Sequence, residues 1–154
     1  MSPVAWLRVA AVLTLIHAVL HTIGGVYGAI PPGPATVAVT AMKANEFVAF
    51  GEPRTFWMFY HGSGLGATVF LTLSAVVLWL LGYLVKHDGA LLRPVVLVFA
   101  LGFVALAVVS WQFFFWGPVI AELLIAACLV MAAVGLRKEE PVAKDSAQRV
   151  SHGF

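Results

Sequence analysis

Four long apolar runs constrain this chain more than any other feature, at about 4–29, 55–85, 94–112 and 118–136. A helix needs roughly 20 apolar residues to cross the hydrocarbon core of a bilayer. Inside that core every backbone N–H and C=O must be satisfied by the protein itself, which leaves only helices or closed barrels. Barrel strands are short and alternating, whereas these runs are long and continuous, so they predict helices. Four spans use most of the 154 residues and leave no sizeable soluble domain. The expected fold is all-α: an integral membrane four-helix bundle.

The segments between the runs are punctuated by turn formers. Pro31, Pro32 and Pro34 stop the first span. Ala35 to Phe50 sets Val37, Val39, Met42, Phe47 and Val48 among polar residues. It is too short to span and predicts a short interfacial helix between spans 1 and 2. Gly51-Glu52-Pro53-Arg54 reads as a turn, and Lys86 to Gly89 as another. Pro94 suits the first position of span 3, and Gly117-Pro118 opens span 4. Trp111 to Trp116 form an aromatic cluster of the kind found at a membrane–water interface. Residues 137–154 are polar, carry both charge signs and predict a disordered cytoplasmic tail.

Charge adds orientation. Nine Lys and Arg nearly balance seven Asp and Glu, which is no nucleic-acid signature. With the N-terminus inside, Arg8, Lys86, Arg93, Arg137, Lys138, Lys144 and Arg149 are cytoplasmic, against Lys43 and Arg54 outside. Both termini are therefore expected in the cytoplasm, with the chain multi-pass in the cell inner membrane. The first run outlasts a signal-peptide core, and a cleavage site at Tyr27-Gly28-Ala29 would place a bulky Tyr at −3. It predicts a retained helix. Cys128 is the only cysteine and is expected to be a packing residue.

Ionisable groups inside a span are costly, so each needs a reason. Four need one: His17 and His21 on span 1, His61 on span 2 and Glu122 on span 4. On the expected topology all four fall between the midplane and the outer surface. Thr14, His17, His21, Gly24 and Gly28 recur at three- and four-residue steps and form one stripe of polar or small residues, which faces protein rather than lipid. Gly24-x-x-x-Gly28 and Gly62-x-x-x-Gly66 let backbones approach, so spans 1 and 2 are expected to pack at their outer ends beside His21 and His61. Glu122 shares a face with Ala126, Leu129 and Ala133 and is expected to point inward.

Four chemistries suit these residues. His17-x-x-x-His21 has the spacing of a metal-binding pair, and His61 and Glu122 would complete a zinc-like site. Haem would use one histidine of span 1 facing His61. His21, His61 and Glu122 would serve as catalytic acid and base groups toward a lipophilic substrate. Last, the histidines are neutral and only hydrogen-bond between helices. Arg54, Tyr60 and Trp111 would line the mouth of such a pocket, with Arg54 holding an anionic head group. Cofactor contacts are expected from His17, His21, His61, Arg54, Tyr60 and Trp111.

The pattern His17 to Gly25, Arg54 to Tyr60 and Trp111 to Phe115 resembles a group of small uncharacterised bacterial four-helix membrane proteins. Span count and size are also similar to DoxX-type proteins, a resemblance that implies quinone-associated oxidoreduction. The expected function is binding of a lipophilic small molecule or cofactor in an outer-half polar pocket whose residues would also be able to carry acid/base chemistry. The alternatives are an accessory subunit without chemistry of its own and, third, a transporter, which would need oligomerisation.

Overall fold

The computed structural model describes residues 1–136, and the tail expected over 137–154 lies outside the described residues. In chain order the elements are α1 (Pro3–Leu20), a π-helical turn (His21–Val26), α2 (Pro34–Ala44), β1 (Glu46–Ala49), β2 (Glu52–Thr55), α3 (Phe56–Leu84), α4 (Gly89–Phe113) and α5 (Trp116–Gly135). Among the described residues, four helices are long and apolar enough to cross a membrane: Pro3–Val26, Phe56–Leu84, Gly89–Phe113 and Trp116–Gly135. The chain is thus helix-dominated, as expected.

Short polar side chains start three of these helices, α1, α3 and α4. Ser2 Oγ accepts from the Ala5 N–H at the head of α1, and Thr55 Oγ1 accepts from the Met58 N–H at the head of α3. Each satisfies one of the four N–H groups that a helix start leaves open. Asp88 does the same for α4, accepting from the Leu91 N–H at 3.0 Å. That cap starts α4 five residues before the expected Pro94, which lies inside the helix. Loss of one backbone bond is tolerated there because Pro is less disruptive in spanning helices than in soluble ones.

The segment before α3 departs from expectation. The interfacial helix predicted to reach Phe50 ends at Ala44, and Glu46 to Thr55 fold as an antiparallel hairpin pairing Phe47 with Arg54 and Ala49 with Glu52. The turn is Phe50-Gly51, not Gly51 to Arg54, and both residues have positive φ, 52° and 88°. A two-residue hairpin loop with positive φ at both positions matches the right-handed twist of its strands. Glycine adopts this freely, whereas Phe50 does so under strain. Pro53 costs little in a two-stranded ribbon, where every strand is an edge.

The fold divides into two compact units. One comprises Met1–Ala10 and the described residues from Leu78 onward. Its core centres on the seam between α4 and α5, with Leu7, Ala10 and Leu78 also fully buried. Val96, Ala100, Phe103, Ala107 and Ser110 are buried at alternating four- and three-residue steps on α4, and Val119, Glu122, Ala126, Leu129 and Ala133 answer from α5. This is the heptad spacing of interlocking helices, with the small residues that let spanning helices approach. The helices are antiparallel: Ser110 bonds Glu122 near the connecting turn, and Arg93 Nε donates to the Ala133 carbonyl toward the other end. In the same unit Arg8 lies over the Trp79 ring at 5.2 Å.

The other unit, Ala11–Val77, holds the rest of α1, the π turn, α2, the hairpin and most of α3. Ala11, Thr14 and Ala18 are buried on α1, and Leu71 and Ala75 on α3. Phe47 of β1 rests on Phe56 and Phe59, with ring centroids 4.8 and 5.4 Å apart, which fixes the hairpin to the first turns of α3.

Candidate functional site

The polar residues singled out from sequence are shared between the units. His17, His21, His61, Arg54 and Tyr60 belong to the unit Ala11–Val77, whereas Glu122 and Trp111 belong to the other.

Glu122 is buried, and the Ser110 hydroxyl donates to its Oε1 at 3.0 Å. Carboxylates within a membrane-crossing segment face protein and find a partner there. Its inward orientation follows the face expected from Ala126, Leu129 and Ala133. Ser110 is the partner that sequence reading missed, although it is the polar end of the apolar Val96–Ala107 stripe. Trp111 is exposed beside the turn that joins α4 to α5.

His21 sits where α1 widens into its π turn. The Thr22 hydroxyl lies 2.7 Å from the Ala18 carbonyl, and Gly24 and Gly25 follow, both poor helix formers. Tyr27 N–H then bonds the Thr22 carbonyl, five residues back, at 3.0 Å. From this turn His21 Nε2 donates to the Gly64 carbonyl of α3 at 3.0 Å, and Thr22 Oγ1 lies 2.9 Å from Thr68 Oγ1. A hydroxyl has one proton. The shorter contacts give one consistent chain, in which Thr68 donates to Thr22 and Thr22 donates to Ala18. Three polar side chains thereby join the π turn to α3.

His61 lies one turn before Gly64 on α3. Its ring stacks on Trp57, with centroids 5.6 Å apart and planes at 25°, and Tyr27 meets it edge-on at 5.4 Å. Lys43 Nζ, at the end of α2, lies 4.7 Å from the centre of the Trp57 ring. Within this aromatic slot His61 Nδ1 is buried and has no hydrogen-bond partner among the described residues. Tyr60 packs against the other neighbour of the slot, Trp57, at 5.7 Å. His17 is half-buried one α-turn before His21.

The expected packing of spans 1 and 2 beside His21 and His61 is present in this unit, but through a different glycine. A Cβ at Gly24, Gly62 or Gly66 would meet nothing within 4 Å, whereas one at Gly64 would lie 3.0 Å from Val26 Cγ2. Gly28 is needed for a local reason, since a Cβ there would collide with the Gly24 carbonyl. Helical spacing alone could not tell which side of α3 meets α1.

For a metal or haem, His21 would have to use Nδ1 or give up its bond to Gly64. No three His, Cys, Asp or Glu side chains gather as a metal-holding group among the described residues of either unit. Arg54 lies on a groove with Met58, Phe59, Gly62 and Ser63. At about 100° per residue these α3 positions cover one side of the helix, and Trp57, His61, Gly64 and Thr68 cover the other.

The chain matches no family model, no curated protein and no solved structure.

Proposed function

We propose that this chain is a four-span inner-membrane protein, with both termini cytoplasmic, that binds a lipophilic small molecule at the aromatic slot around His61. One observation carries the reading: His61 Nδ1 is buried in a membrane-crossing segment without a partner among the described residues. An unmade hydrogen bond in such a setting costs about 1–3 kcal/mol. A ligand with an apolar body and one polar group, such as a quinone-like carbonyl or a hydroxyl, would remove that cost once the exposed Tyr27 ring swings aside to admit it. Tyr27 and Trp57 supply the apolar walls.

The test starts from protein purified in mild detergent. Solvent extraction and mass spectrometry are expected to find a co-purified lipophile. His61→Phe keeps the ring stacking and removes the nitrogen. It is expected to lower retention about 5- to 10-fold, the equivalent of one hydrogen bond of about 1 kcal/mol, with thermal stability unchanged or raised. Equal retention by both proteins would remove His61 from the site.

An accessory role is the second reading, supported by the engagement of His21, Thr22, Thr68, Ser110 and Glu122 in bonds between helices. A folded wild-type protein free of ligand would favour it. Orientation is tested separately. A cytoplasmic reporter fused after Arg137 and a periplasmic reporter inserted near Lys43 are both expected to be active. The opposite pattern would invert the topology.

A further inference from the structure

The groove on the far side of α3 has no part in the His61 slot and is built for a different occupant. It is a shallow, open depression of about 430 Å³ lined by Arg54, Met58, Phe59, Gly62 and Ser63. Its residues are ordered along the helix by chemistry. Arg54 stands on β2, just before the membrane-crossing helix begins at Phe56. Met58 and Phe59 form apolar walls over the first turn. Gly62 then leaves open the space a side chain would fill, since a Cβ there has nothing within 4 Å. The Ser63 hydroxyl donates back to the Phe59 carbonyl at 2.8 Å, so its polarity is turned toward its own helix.

A cation at the mouth of a membrane span, above an apolar trough, matches one class of molecule. We infer that the groove binds an anionic phospholipid of the surrounding leaflet, with its phosphate on Arg54 and an acyl chain along Met58, Phe59 and Gly62. From Phe56, where the helix begins, to Gly62 the trough descends about 9 Å at 1.5 Å per residue, past the roughly 5–8 Å of the head-group region and into hydrocarbon. Arg54 retains the means to bind. Its Nη1 donates to the Pro53 carbonyl at 2.7 Å and lies 3.5 Å from Glu52 Oε2. The other donors of the guanidinium carry no bond among the described residues. Glu52 is 67% exposed and competes weakly, as surface ion pairs do. A phosphate suits the planar fork of an arginine better than a single carboxylate contact does.

Native mass spectrometry of the full chain, with phosphatidylglycerol, phosphatidylcholine or oleate added in turn, tests this. Wild type is expected to retain phosphatidylglycerol at least 5-fold better than phosphatidylcholine. Arg54→Gln should abolish that preference. Gly62→Leu fills the trough without a clash and should lower phosphatidylglycerol retention. Leu101→Ala, on α4 and not among the residues that line the groove, should not. Circular dichroism confirms that each variant is folded, and if Gly62→Leu does not fold, Arg54→Gln alone decides. Equal retention of the two lipids by wild type, an unchanged preference in Arg54→Gln, or binding of oleate in place of phosphatidylglycerol would overturn the assignment. None of these outcomes depends on His61, so the slot and the groove stand or fall separately.

Discussion

Phe103→Ala is expected to lower the unfolding free energy by about 3 kcal/mol, the low end of the range for truncating a buried Phe. The low end follows from the proposed membrane setting, in which the unfolded reference of a spanning helix is already in lipid and little hydrophobic transfer is lost. What remains is the cavity and the dispersion contacts it removes. Phe103 is 3% exposed and central to the α4 stripe that meets α5. Leu101, two residues away, is 70% exposed, and Leu101→Ala should fall within about 0.5 kcal/mol of wild type. Reversible unfolding in mixed micelles compares the two. Equal, small effects would mean that the α4–α5 seam is not the core of its unit.

Gly64→Leu should cost about 2–4 kcal/mol, combining overpacking against Val26 with weakening of the His21 bond to the Gly64 carbonyl. Gly66→Leu meets open space and replaces a poor helix former with a good one, so it should be neutral or mildly stabilising. Thermal melting in detergent separates these outcomes. A Gly64→Leu protein as stable as Gly66→Leu would show that the π turn and α3 are not joined at this point.

The positions of the four long apolar helices were legible because length and continuous apolarity are properties of single segments. Helix starts were less so. Pro94 reads as a natural first residue, yet Asp88 captures the Leu91 N–H and begins α4 earlier. The hairpin was hidden for two physical reasons. Its strands are four residues each, too short for alternation to stand out against the helical spacing of Val39, Met42 and Phe47. Its loop also places Phe50 in a conformation for which Phe is a poor signal.

The site residues divide in the same way. The inward face of Glu122 could be read from its own helix, whereas its partner Ser110 required the pairing of two helices. His21 and His61 could be placed near the contact of spans 1 and 2, but the rotation of α3 could not. That rotation decides that Gly64 and not Gly62 or Gly66 touches Val26, and that the Arg54 groove opens on the side away from His61.

The π turn behaves as a one-residue insertion in helical phase. In an uninterrupted α-helix the place above Thr22 belongs to the residue four positions on; in a π turn it belongs to the fifth, which is Tyr27. Thr22 and Tyr27 therefore both reach α3, one at Thr68 and the other at His61. The stretch from His21 to Val26 thus acts as a vernier between two contacts. Its chemistry is open to exchange at exposed positions such as Ile23, but its length is not, because losing one residue would swing Tyr27 off His61 while leaving Thr22 in place.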